Sequence, residues 1–405
     1  MKILHTADFH IKDSSIDEGI KCLDFLVDWA RKESPDLIII AGDLTHRNDV
    51  KWDSKTARVI ILTVAELADI APVFIVKGTP YHDGDIPEML DRIRSKHSIV
   101  VSLYPEQCIL SPKSSGGLNI LPVDSSKNVT VSAIISMVPC PTKAFLESQT
   151  SFEMRECDNM IENGMGQILA AFGRTAAAIP APHILIGHWT VGGAFISEKQ
   201  QMIGRDIEIS QGQIQLADAN LVCLGHIHKA QKIGQNIFYP GSLYSLTAGE
   251  LDPKGFYIHE LGDHGLLQSE FIKAPATRRL ILDADFTNGD RLADLESILH
   301  TFSTGDIHGS IIHARFRIWE DETAKLDVEQ IKQNFEGAVE VVVDVVRVPR
   351  ANVRSKNYFR LNTLREKIEE QAKIKDEVLP AGIPDKVESL ESMEPDKIFE
   401  GLPVA

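Results

Sequence analysis

The chain has 405 residues, 43% hydrophobic and 25% charged. That is an ordinary globular composition, long enough for one large domain and one or two small ones. Its net charge of -16 argues against a nucleic-acid binder, because phosphate repels an acidic surface unless bound cations or clustered basic residues reverse the field locally. Five widely spaced cysteines form no CxxC pair, so they read as reduced thiols rather than a zinc or redox site. The opening MKILHTADFH lacks the apolar core of a secretory signal, and no apolar run reaches transmembrane length; a cytoplasmic location without membrane contact is expected.

Residues 2–8 read as an apolar strand ending at Asp8, followed by an amphipathic helix from Ile16 to Glu33 with Ile20, Leu23, Leu26, Val27 and Ala30 on one side. Leu37–Ala41 is a continuous apolar strand ending in Gly42-Asp43, Ser54–Ile70 a second helix, and Pro72–Val76 a third strand ending at Lys77-Gly78. This alternation predicts parallel pairing with helical crossovers. From about 98 to 140 the period shortens to β-rich runs (Ile99–Leu103, Gly117–Pro122, Val129–Val138) between turn residues, and Glu153–Ile179 returns to helix. Two more buried strands, His183–Ile186 and Leu221–Leu224, each end in Gly-His, and Asn236–Tyr239 and Gly255–Glu260 read as closing strands of a second sheet. Residues 1–272 are therefore expected to form one α/β domain of two facing sheets.

A second unit is expected over 277–350: strand Arg279–Asp283, helix Gly289–Phe302, strand Ser310–Ile318, helix Lys325–Phe335 and strand Val339–Val346, a small α+β cap. The tail, 351–405, carries a charged helix (Leu361 to about Ile374) and a Pro-containing linker. Where cap and tail meet, Arg347, Arg350, Arg354, Lys356 and Arg360 follow one another with no acidic residue between the first and the last. Such a run is either a solvated face or a DNA contact.

The polar residues after the apolar strands are Asp8-Phe9-His10, Gly42-Asp43, His82-Asp83, Gly187-His188 and Gly225-His226-Ile227-His228. In an extended segment, residues two apart point to one side, so Asp8 with His10 and His226 with His228 are each expected to present two ligands to one place. Mixed carboxylate and imidazole donors suit manganese, iron or zinc. One histidine at a strand end is usually a hydrogen-bonded structural residue. Five such pieces at successive strand ends are hard to explain as packing, because burying so many unpaired polar groups is costly.

The order DxH, GD, HD, GH, GHxH resembles that of calcineurin-like metallophosphoesterases. Leu4-His5-Thr6-Ala7-Asp8-Phe9-His10, Ala41-Gly42-Asp43-Leu44-Thr45-His46, Tyr239-Pro240-Gly241-Ser242-Leu243, Gly249-Glu250 and Lys254-Gly255-Phe256 extend the resemblance to the SbcD-type DNA-repair nucleases, over roughly residues 1–260. The resemblance implies a two-sheet α/β sandwich with helices outside, a small α+β cap that positions DNA, and a helical tail that docks on an SbcC-like ATPase with a coiled coil. It implies two divalent cations, manganese first with magnesium or iron as alternatives. Asp8, His10 and His228 would hold the first cation, His188 and His226 the second, with Asp43 bridging. His82 would protonate or stabilise the leaving group, and His46 would contact the substrate phosphate. Such a cation pair activates water and neutralises charge on the reacting phosphodiester.

One departure stands out. The family usually has Gly-Asn-His-Asp, with Asn as a ligand of the second cation; here the loop reads Gly78-Thr79-Pro80-Tyr81-His82-Asp83. The Thr79 hydroxyl, a backbone carbonyl or a water are the candidates to fill that role. Leu361, Leu364, Ile368 and Ala372 recur at helical spacing, as a partner-docking face or as packing on the chain itself. A DNA nuclease, working as a homodimer within an SbcCD-like repair or recombination complex, is the expected function. The alternatives are a phosphatase or cyclic-nucleotide phosphodiesterase on the same metals, and a non-catalytic scaffold of an ATPase.

Overall fold

The structure is a computed structural model and describes residues 1–114, 116–141, 157–196, 208–350, 361–375 and 377–391. Strands β1 (Lys2–Thr6), β2 (Leu37–Ile40) and β3 (Val73–Val76) pair in parallel through crossover helices α1 (Ile16–Glu33) and α2 (Lys55–Ala68). Helix α1 buries Cys22, Leu23, Leu26, Val27 and Ala30 and ends at Ser34, whose left-handed backbone returns its N–H to the Ala30 carbonyl. Ser54 caps α2 by accepting the Ala57 N–H at 3.1 Å. A short α3 (Ile86–Leu90) leads into β4 (Ile99–Ser102), again parallel to β3.

The chain then builds a second sheet. Its strands are β5 (Glu106–Pro112), β6 (Leu118–Pro122), β7 (Ala133–Val138), β8 (His183–His188, after helix α4, Cys157–Ala177), β11 (Leu221–Gly225), β12 (Gln231–Ile233) and β13 (Ile237–Tyr239). Between β8 and β11 lie a two-residue pair, β9 (Thr190–Val191) with β10 (Glu208–Ile209), and helix α5 (Gln211–Gln215). The strand order is β12-β13-β11-β8-β7-β5-β6. A hairpin of β14 (Gly255–Gly262) and β15 (Gly265–Lys273) returns to the first sheet, whose order is β15-β14-β1-β2-β3-β4.

Side-chain alternation explains the layering. Ile3, Leu37, Ile39, Phe74 and Val76 face Ile135, Ile184, Ile186, Leu221 and Cys223 of the second sheet. The intervening Leu4, Ile38, Ile40, Val73 and Ile75 pack on α1 and α2, and Leu185, Val222 and Leu224 pack with Met165, Leu169 and Ile214 of α4 and α5. Strands buried on both faces must be apolar throughout, hence the unbroken Ile-Val-Leu runs. Each such side chain contributes about 1.5–3 kcal/mol. This helix–sheet–sheet–helix sandwich is the expected fold.

Several expected elements are corrected. Gly255–Glu260 closes the first sheet rather than the second: β14 pairs antiparallel with β1, Leu4 opposite Ile258. Strand β5 is an addition to the expected elements, because Glu106, Gln107 and Cys108 break the apolar pattern. Residues 129–132 precede β7 instead of extending it. The described part of the helix expected from Glu153 begins at Cys157; residues 153–156 lie outside the described residues.

The chain divides into two compact units, Met1–Asp283 with Ala293–Arg315 and Val328–Asp344, and Ala284–Leu292 with Phe316–Asp327 and Val345–Ala405. The division runs through the segment 277–350, which holds a three-stranded sheet ordered β16 (Arg279–Asp285), β17 (Ile311–Trp319), β18 (Glu340–Val348). Its helices are shorter than expected: α6 (Leu295–Leu299), α7 (Thr304–Ile307) and α8 (Val328–Gln333). In the second unit, α9 (Leu364–Lys375) pairs with α10 (Ile383–Glu391) through Arg365 and Glu388, 2.6 Å apart, so a helix stands in place of the expected linker. Ala372 of the expected docking face is buried, and Leu364 is 47% exposed. No helix among the described residues is long and apolar enough to cross a membrane.

Candidate metal centre

Every residue of the sequence constellation lies at or just after the C-terminal end of a parallel strand: Asp8 and His10 after β1, Asp43 and His46 after β2, Thr79 and His82 after β3, His188 ending β8, and His226 and His228 after β11. Open α/β sheets place their sites there. The expectation that extended backbone aligns Asp8 with His10 is corrected. Asp8 (φ 52°), His10 (φ 44°), Asp43 (φ 53°) and His226 (φ 94°) all adopt left-handed backbone, and turns rather than pleats aim these side chains. Such conformations are costly for residues with a Cβ and gather at functional sites.

The side chains converge in two groups that share one carboxylate. Donor atoms of Asp8, His10 and Asp43 lie within 4.8 Å of one another, as do those of Asp43, His188 and His226. His10 Nε2 and His228 Nε2 are 3.0 Å apart, and Asp43 Oδ2 lies 3.2 Å from His188 Nε2 and 3.7 Å from His10 Nε2. A third group joins His10, His46 and His82, with the His10 and His82 rings 4.4 Å apart.

Neighbouring groups fix these rings. His188 Nδ1 donates to the Ala41 carbonyl at 2.7 Å, which aims the fully buried Nε2 at Asp43 Oδ2, 3.2 Å away. His82 Nδ1 meets the His46 carbonyl at 2.6 Å, turning its Nε2 outward from that contact. The His226 N–H donates to both Asp8 oxygens, at 2.9 and 3.1 Å. His228 Nδ1 lies 3.4 Å from Glu250 Oε1. Thr79 donates its N–H and hydroxyl to Asp43 Oδ1, at 2.7 and 3.1 Å.

Glycines make the close approach feasible. A Cβ on Gly78 would overlap the Asp43 carboxylate, and one on Gly225 would strike the Ala41 carbonyl and lie 2.9 Å from His188 Nδ1. Asp83 ties the loops together. Its buried carboxylate accepts the N–H groups of Asp43 (2.9 Å), Leu44 (2.8 Å), Thr45 (3.4 Å) and Gly78 (2.8 Å). The sequence marks Asp83 within its motif without a role; Glu250 likewise gives no signal beyond its motif, since only the fold brings it to His228.

The electrostatics are those of a cation site. Burial and the Asp43 charge raise Asp83 to about 7. Burial would lower His188, but the Asp43 and Asp8 carboxylates and the Ala41 carbonyl raise it to about 9. Burial raises Asp8, whereas Asp43, also buried, is held well below the usual carboxylate range by His188 and His10. Burial and the charges of Lys12 and His82 lower His46 to about 4. The donors fit divalent cations. Orphaned His188 Nε2 faces a carboxylate oxygen, and two ring nitrogens 3.0 Å apart have the spacing of adjacent ligands on one ion with metal–nitrogen bonds of about 2.1 Å.

The basic run is only partly placed. Arg347 is exposed on β18. Arg350 pairs with Asp321 (3.1 Å) and Glu322 (3.4 Å) and lies over the Trp319 ring, so its charge is already engaged within its unit. Arg354, Lys356 and Arg360 lie outside the described residues.

Residues 1–230 match the family model described as calcineurin-like phosphoesterase, and the chain belongs to that family, whose chemistry is phosphoester hydrolysis. Among curated proteins it is similar to the SbcD subunit of nuclease SbcCD from Staphylococcus saprophyticus, 26% identical over 296 residues, 69% of this chain and 70% of that protein, in accord with the SbcD-type motifs. Two solved structures are more distant: GAP50, the anchor in the inner membrane complex of Plasmodium (13% identity, TM-score 0.44, 68% of this chain, 85% of that one), and a dimetal phosphatase from Danio rerio (11%, 0.41, 68%, 99%).

Proposed function

We propose that the protein is a metal-dependent DNA nuclease, the nuclease subunit of an SbcCD-like repair or recombination complex. The observation that carries the chemistry is the sharing of Asp43 between two His/Asp groups beside His82. Asp8, His10 and His228 would hold one divalent cation, His188 and His226 a second, and Asp43 both, with manganese as the expected metal and magnesium or iron as alternatives. When bound, such a pair supplies a nucleophile from water near neutral pH and offsets phosphate charge.

The chain's own residues do the rest. His82, its Nδ1 held by the His46 carbonyl, presents Nε2 to the leaving oxygen as proton or hydrogen-bond donor. His46, kept neutral, contacts a non-bridging phosphate oxygen. Thr79 directs its hydroxyl proton to Asp43 Oδ1, which leaves its oxygen lone pairs as the replacement for the family's asparagine ligand. Residues 277–350 act as the DNA-positioning cap, Arg347, Arg354, Lys356 and Arg360 as phosphate contacts, and the 351–405 tail as the dock for an SbcC-like ATPase in a cytoplasmic homodimeric assembly. The relative is named a nuclease, which favours a nucleic acid over a small phosphoester.

The test is hydrolysis of linear DNA and of an aryl phosphate diester with manganese. Cleavage of both, lost with Asp43→Ala, supports the nuclease. Cleavage of the aryl ester alone indicates a phosphatase or cyclic-nucleotide phosphodiesterase, and cellular function that survives Asp43→Ala and His82→Ala indicates a scaffold.

A further inference from the structure

One ion pair near the cation site is almost fully buried: Glu250 is 1% and Lys254 3% exposed, and Lys254 Nζ lies 2.7 Å from Glu250 Oε2. Burying such a pair costs desolvation energy that its own attraction barely returns, so its placement calls for a reason. The pair grips one residue at two points. Glu250 Oε1 lies 3.4 Å from His228 Nδ1, and Lys254 Nζ donates to the His228 carbonyl at 3.1 Å and to Ser242 Oγ at 2.9 Å. A carboxylate facing Nδ1 keeps the proton there. It turns the lone pair of Nε2 toward His10 Nε2, 3.0 Å away. His188 is oriented differently, by the neutral carbonyl of Ala41. A carboxylate partner raises the donor strength of an imidazole ligand and fixes its tautomer, an effect worth about 10–100-fold in metal affinity in comparable sites.

We propose that Glu250 is a positioning residue for the first cation, acting through His228 with Lys254 as its counter-charge, so that the two cation positions differ in strength and the first is the tighter. This rests on the assignment of the two cation positions given above. Thr247 Oγ1 and the Leu246 N–H also contact Glu250, so the carboxylate shapes its own loop as well; the variants below separate the two roles.

The experiment is a manganese titration of the full chain, followed by calorimetry and by electron paramagnetic resonance, which distinguishes a spin-coupled carboxylate-bridged pair from a lone ion. Wild type is expected to bind two ions and show the coupled signal. Glu250→Ala should weaken the tighter site about 10–100-fold and give a lone-ion signal at concentrations that fill both sites in wild type. The near-isosteric Glu250→Gln, which keeps an acceptor but no charge, should fall between and carries the test if the alanine variant does not fold. Thr247→Val, which removes one loop contact and leaves the carboxylate and the Leu246 N–H in place, should bind both ions normally. A folded Glu250→Gln or Glu250→Ala with wild-type affinity at both sites overturns the proposal. A Thr247→Val variant weakened as much as Glu250→Ala does so too, because the effect would then belong to the loop. A wild type that never shows the coupled signal instead sinks the cation-pair assignment itself.

Discussion

His82 and Thr79 stand in the same loop and make separable demands on experiment. The His82 ring is set by the His46 carbonyl at 2.6 Å, whereas Thr79 is tied directly to the Asp43 carboxylate. Removal of the His82 imidazole should therefore spare metal uptake while lowering kcat on DNA roughly 10²–10⁴-fold. An aryl diester, whose leaving group needs no proton, should lose far less; equal losses on both substrates would contradict the leaving-group role. Thr79→Ala should weaken uptake of the second manganese ion, read by calorimetry, and unchanged affinity would exclude Thr79 as a ligand. His188 sets a pH signature. Its pKa in the cation-depleted protein is raised to about 9, against about 6.5 unfolded. The resulting stabilisation is complete below about 6.5 and is lost as pH rises through about 9. Melting temperature measured in chelator should decline across that window, and His188→Gln should flatten the decline. Metal must displace the same proton, so uptake should acidify a weakly buffered solution.

At the scale of elements, the loops after β2 and β3 behave as one piece because the Asp83 carboxylate accepts four backbone N–H groups drawn from both. Asp83→Ala would leave those buried donors without a partner, at a cost of about 3 kcal/mol. It should lower the melting temperature and weaken manganese binding together, whereas His82→Ala should do neither. This part of the architecture was legible in outline. Strands covered on both faces announce themselves as unbroken apolar runs, and the polar residues after them mark the site. Pairing partners were not legible: Gly255–Glu260 joins β1 because a hairpin returns to the first sheet, and nothing local in its pattern says so. Strand β5 was hidden by its exposed Glu106 and half-buried Gln107, and α10 by a proline within its first turn. The role of Glu250 was out of reach because 22 residues separate it from the imidazole it supports.

For the whole molecule, a net charge of -16 sets conditions on how DNA is held. Cation-depleted protein should bind DNA weakly, and manganese should strengthen binding of an uncleavable substrate, as followed by fluorescence anisotropy; affinity that ignores manganese would place the main contact elsewhere. Removal of residues 361–405 should leave aryl diester hydrolysis intact and abolish co-purification with a coiled-coil ATPase. Partner retention by the truncated chain would show that α9 and α10 serve the protein itself, as the Arg365–Glu388 contact and the burial of Ala372 already permit.

Four of the residues assigned to cation binding adopt backbone angles that suit glycine better than themselves. Evolution has thus stored tension where a rigid scaffold was needed, and the protein without its ions is the form that bears it unrelieved. Asp8→Gly and Asp43→Gly should both be inert toward phosphoesters, and in chelator each should melt higher than the matching alanine variant, which loses the same carboxylate but keeps the Cβ that the backbone angle disfavours.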